Sequence, residues 1–130
     1  MPYVYHDADA LEGTEKVGDK HCVALVRHYA GIASTSHWTK GDKVLGHVQL
    51  AKGTAIATFV DGRYPNQSGG NHATFYLRQD LGGIWIMDQW SSDVTKPKVS
   101  SRYIRKRGGV RSDGTYPDAS NNAEAFSVIR

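Results

Sequence analysis

The chain has 130 residues, a formal net charge of +3 and one cysteine. That length suits one core rather than two, a lone cysteine excludes a disulfide-framed scaffold, and no apolar run approaches the roughly 20 residues that span a bilayer. A single compact domain over residues 1–130, monomeric and not inserted in a membrane, is the resulting expectation.

In chain order, residues 1–17 read as a polar lead-in, acidic through Asp7, Asp9, Glu12 and Glu15, without the basic start and apolar run of a signal peptide. Asp19 then serves as an N-cap and Gly31 as a stop, and Cys22, Leu25, Val26 and Tyr29 fall at the spacing of one buried helical stripe. The spacing predicts a helix to about Ala30 with the cysteine in its first turn, where unpaired N–H groups and the positive end of the helix dipole favour thiolate. The alternative is a buried cysteine acting as a small apolar residue.

Residues 32–42 are predicted as an irregular loop anchored by Trp38. Val44, Leu45, Val48 and Leu50 suggest a strand, joined through a Lys52-Gly53 turn to a second strand at Thr54–Val60, the pair forming a hairpin. Asp61–Asn71, rich in Gly, Pro, Asn and Ser, is too long for a tight turn and has the length of a functional loop. His72–Leu77 and Ile84–Trp90 are strands flanking a turn at 79–83, Arg102–Arg105 is an edge strand, 108–122 a loop and Ala125–Ile129 a closing strand. From Lys96 to Arg111 seven basic residues occur with no acid between them. This stripe reads either as a contact for a polyanion or as a solvated strand edge. No helix-turn-helix, zinc-finger or ribonucleoprotein pattern accompanies it, so nucleic acid is not expected.

A cysteine nucleophile needs an imidazole, and the imidazole needs a third polar group to orient it. His72 opens one strand and Asp88 closes the next; if these pair antiparallel, their ends meet, and a helix packed on the sheet brings Cys22 to the same edge. The alternative is that both are ordinary strand-end polar residues. His21, next to Cys22, would point about 100° away around the helix. No histidine pair has the spacing of a helical zinc site, so neither metal nor cofactor is expected.

Cys22-Val-Ala-Leu-Val at a helix start, Trp38 followed by Gly41 and Val44, Gly53-Thr-Ala-Ile-Ala-Thr-Phe, Gly70-Asn-His-Ala and Gly83-Ile-Trp-Ile-Met-Asp-Gln-Trp together resemble the CHAP and NlpC-type papain-like amidases. More narrowly, they resemble the second family of type VI secretion amidase effectors and the related domesticated amidase effectors, over roughly residues 18–129. The resemblance implies a minimal papain-like α+β fold with the cysteine helix packed on an antiparallel sheet, Cys22 as nucleophile, His72 as base, Asp88 as third residue, and substrate contacts from Asn71, Trp38, Tyr64 and Gln89. It further implies hydrolysis of peptide-stem amides in bacterial peptidoglycan, at the D-alanine to meso-diaminopimelate crosslink. The protein would then be a secreted toxin acting in the periplasm or at the wall, opposed by a periplasmic immunity protein. Asp61–Asn71 would wall the groove and the basic stripe would meet anionic wall polymers. Two other classes share these residues: a deamidase or transglutaminase-like toxin acting on protein, and a non-catalytic wall-binding module.

Overall fold

The computed structural model describes residues 2–65, 67, 69–91 and 94–130. Its α-helix, α1 (Cys22–Ala30), stops where Gly31 takes φ 67°, a left-handed conformation open to a residue without Cβ, and returns its N–H to the Arg27 carbonyl. Leu25 and Val26 are buried and Cys22 and Tyr29 half-buried, so the apolar stripe faces the sheet as its spacing predicts. The start of the helix differs from expectation. His21 occupies the cap position, and Asp19 Oδ1 instead accepts the His21 N–H at 3.0 Å in the turn before it. Cys22 is therefore the first helical residue rather than the third.

Among the described residues six strands follow: β1 (Lys40–Lys43), β2 (Ala55–Thr58), β3 (Ala73–Gln79), β4 (Gly83–Asp88), β5 (Ser100–Arg105) and β6 (Phe126–Ile129). They form one antiparallel sheet in the order β1-β6-β2-β3-β4-β5. Side chains alternate between two cores. Ala55, Ala57, Phe75 and Met87 face α1, with Leu25, Val26 and Trp38; Ile56, Tyr76, Ile84, Ile86, Ile104, Phe126 and Val128 fill the opposite side.

Three sequence expectations are corrected here. The strand at 44–50 is absent: this stretch is a run of turns with Val48 exposed, and the strand lies earlier, at the polar Lys40–Lys43. As an edge strand, β1 takes its order from backbone bonds to β6, not from an apolar alternation of its own. Gly41 suits this place, since a Cβ there would come within 2.8 Å of the Val128 carbonyl. The hairpin is likewise not formed. β2 pairs with β3 (Ala55↔Phe75) and with β6 (Ile56↔Val128), which lies inside the sheet rather than closing it. The polar lead-in also joins the core. Ala8 and Leu11 are buried in a 3-10 turn (Ala8–Leu11), and Tyr5 packs its ring on Tyr29 and Phe75 at 5.0 and 5.8 Å. The segment lies flat on Gly53, where a Cβ would overlap the Tyr5 carbonyl.

The β3–β4 turn matches expectation, with Asp80 Oδ1 accepting the N–H groups of Gly82 and Gly83 at 2.9 and 3.0 Å. Because these strands run antiparallel, the residue before β3 and the last residue of β4 come side by side, beneath the N-terminus of α1, which packs on β3.

Candidate active site

His72 is fixed before its side chain is considered. Its N–H donates to Thr58 Oγ1 and its carbonyl accepts the Thr58 N–H, both at 3.0 Å, clamping it to the end of β2. The ring then lies edge-on to Trp90 and Phe126, with Nε2 2.8 Å from Asp88 Oδ2. With Nε2 engaged, Nδ1 is the nitrogen left to face Cys22. Burial disfavours the imidazolium, yet the Asp88 hydrogen bond and the Cys22 sulfur overcome it and raise the His72 pKa to about 9. Burial likewise pushes the Cys22 thiol up, but hydrogen bonding and charge from His72, with the Ala73 N–H and Tyr64, bring it below the ordinary thiol value. Together they favour a thiolate–imidazolium pair at the positive end of a helix.

Asp88 is fully buried, and a lone carboxylate there would be forced toward its neutral form. His72, Arg102 and Lys96 instead hold it well below the usual carboxylate range. Arg102 donates from Nε to Oδ2 at 2.9 Å, and Lys96 Nζ lies 2.6 Å from Oδ1. Oδ1 is met by this close ion pair with the lysine. Lys96 Nζ directs its own hydrogens to the carbonyl and Oγ of Ser100, at 3.0 and 2.7 Å, and both cations stand over the face of Trp90. These residues belong to the basic stripe, so for Lys96 and Arg102 neither a solvated edge nor a surface polyanion contact describes the role. No local pattern announced it; the run of cations without an acid was the one available signal.

The pair opens onto a cleft of about 700 Å³. Tyr64 and Asn71 line it, as expected of substrate contacts, with Gln67, Gly69 and Gly70 of the same loop; Asn66 and Ser68 lie outside the described residues. The Tyr64 hydroxyl is 3.7 Å from Cys22 Sγ, and burial together with the sulfur keeps the phenol protonated far above its ordinary range, so the phenol is the donor. Trp38 and Gln89 do not line it. Trp38, 1% exposed, packs edge-on beneath Tyr64 at 5.0 Å and donates Nε1–H to the Ala33 carbonyl at 2.8 Å, supporting the tyrosine instead of meeting a ligand. Gln89 is buried and bonded to the backbone of Val17 and His21. His21 points toward Ser91, with Nδ1 3.2 Å from its hydroxyl, and so is not a rival proton partner for Cys22. Among the described residues no three His, Cys, Asp or Glu side chains converge as metal ligands.

The chemistry open to this arrangement is nucleophilic attack on an acyl carbon, followed by proton donation to the leaving group. If His72 supplies that proton, kcat/KM is expected to rise as pH climbs through the lowered Cys22 pKa and to fall as pH passes about 9, where the imidazolium is lost. In Asp88→Asn only the Cys22 sulfur is left to favour the imidazolium, so the alkaline limb should move to lower pH and the rate drop by about 10²-fold or more. Removing the carboxylate also leaves Lys96 and Arg102 without their counter-ion, costing about 3–5 kcal/mol of stability. A pH–rate profile with an unmoved alkaline limb would take Asp88 out of the site.

The chain matches the family model described as Domesticated amidase effector 2 over residues 4–129. A Salmonella typhi protein named "Type VI secretion amidase effector 2 protein" is 58% identical over 132 residues, covering 99% of each chain. The solved structure of a type 6 secretion amidase effector 2 superposes with a TM-score of 0.95 at 56% identity, covering 98% of this chain and 94% of that one. Its fold is accordingly papain-like α+β, and a match that runs from the first strand contact to the last strand leaves one assignment: the chain belongs to the domesticated amidase effector 2 family.

Proposed function

We propose that the chain is a cysteine amidase that cuts the D-alanine to meso-diaminopimelate crosslink of bacterial peptidoglycan, acting from the periplasmic side as an antibacterial toxin. Family membership carries the coarser part, an amidase effector directed at bacteria. The observation that supports the cysteine mechanism is the imidazole of His72 held between the Asp88 carboxylate and the Cys22 sulfur at a helix start, whereas the choice of bond rests on the family resemblance alone. The Cys22 thiolate attacks the D-alanine carbonyl, and the oxyanion is met by first-turn N–H groups that lack intrahelical partners, that of Cys22 included. His72 gives its proton to the departing amine, leaving an acyl-enzyme. Water, deprotonated by the now neutral imidazole, releases the stem and restores the thiolate–imidazolium pair. Arg27 on the cleft wall suits a substrate whose stems carry free carboxylates. Occlusion of the same cleft is what a cognate immunity protein would achieve.

Digestion of purified sacculi, with the products identified by mass, tests this reading. Crosslinked stem dimers are expected to disappear as free tetrapeptide stems appear. Intact crosslinks with another stem bond cut would correct the bond assignment. No soluble product at all, with a protein glutamine deamidated instead, would replace the wall by a protein target.

A further inference from the structure

Asp88 and Gln89 are neighbours at the end of β4, and they point to opposite partners. Asp88 holds the imidazole. Gln89, 0% exposed, closes its amide on the segment that leads into α1: Oε1 accepts the Val17 N–H at 3.0 Å, and Nε2 donates to the carbonyls of Val17 and His21 at 3.1 and 2.8 Å. The His21 carbonyl also takes the Ala24 N–H at 3.1 Å, the first bond of the helix. The turn it grips is strained at Lys20, whose φ of 71° a non-glycine residue keeps only where its surroundings over-determine it, while Gly18 takes its φ of 59° freely. Within the turn Lys20 N–H bonds the Val17 carbonyl at 3.0 Å, so both of its ends are tied to the one side chain.

We propose that Gln89 is a positioning residue for the nucleophile: its amide sets where α1 begins, and with it where the Cys22 sulfur and the first-turn N–H groups stand relative to His72. It touches no substrate. The inference rests on Cys22 being the nucleophile and is indifferent to which amide is cut.

Gln89→Met keeps the length and removes all three bonds, while Gln89→Glu keeps an acceptor for the Val17 N–H and removes the donors. With stem-peptide dimers as substrate, kcat is expected to fall about 10²-fold in Gln89→Met with KM changed less than about twofold, since misplacement of a reacting atom by an ångström is enough. Gln89→Glu should show the same split, less severely. Alkylation of Cys22 by iodoacetamide, which needs no substrate, should slow about tenfold at pH 7 in Gln89→Met, its inflection moving toward the ordinary thiol range. Wild-type kcat and alkylation profile in a folded variant, with only the melting temperature lowered, would reduce Gln89 to a packing role and overturn the proposal. In the unaltered protein, the Val17 amide is expected to exchange with solvent as slowly as the β3 and β4 amides, and fast exchange there would also overturn it. Failure of the wild-type protein to cut stem peptides, with the alkylation shift intact, would count against the substrate and not against Gln89.

Discussion

Cys22→Ala is expected to yield a folded protein with no measurable hydrolysis. The loss should reach at least about 10⁴-fold, because without the sulfur no acyl-enzyme forms and the remaining donors have no attacking atom to assist. Stability should change by no more than about 1 kcal/mol, since the side chain is small and half-buried and its removal leaves Leu25 and Val26, the buried part of the stripe, in place. His72→Ala should be nearly as inactive, and both should melt as single transitions. Wall hydrolysis by Cys22→Ala at more than trace level, with an unchanged circular dichroism spectrum, would end the cysteine mechanism.

The second large effect is on cells. Peptidoglycan stems lie beyond the cytoplasmic membrane, and among the described residues no helix is long and apolar enough to cross one. Made in the cytoplasm of a Gram-negative cell, the chain is expected to leave growth unaffected; fused to a signal peptide, it should lyse the same cell. Lysis should disappear with Cys22→Ala and be suppressed by a periplasmic protein that fills the cleft between the start of α1 and the loop at 61–71. Equal toxicity of the unfused form, read as loss of viable count, would contradict the wall as target and favour a cytoplasmic protein substrate.

The arrangement of Cys22, His72 and Asp88 was readable because chemistry left few choices. One cysteine, one histidine at a strand start and one aspartate at the next strand's end allow the arrangement once the two strands are taken as a hairpin, and the resemblance to the amidase effectors singled it out over ordinary strand-end polar residues; β3–β4 is a hairpin with a strong turn signal at Asp80–Gly83. What failed to show in the sequence depends on partners far along the chain. β1 is polar and gains its order from β6, about 85 residues later, so no alternation marks it, while the apolar run at 44–50 imitated a strand. The expected 44–60 hairpin assumed that neighbours in sequence pair, whereas β6 inserts beside β2. The resemblance implied ligand contacts from Trp38 and Gln89; only the fold shows that one supports Tyr64 and the other holds Val17 and His21. Asp19 failed as a cap because the chain turns once more before the helix begins.

The convergence of Lys96 and Arg102 on one carboxylate constrains how this sequence can drift. A mutation of Asp88 to a neutral residue strands two buried or half-buried cations against each other, whereas loss of one cation first leaves the carboxylate still paired. Positions 88, 96 and 102 therefore behave as a single heritable unit, and the order of change along a lineage is set: a cation goes before the acid. Among descendants, an Asn or His at 88 should be found beside a neutral residue at 96 or 102, and both cations together should mark an acid at 88.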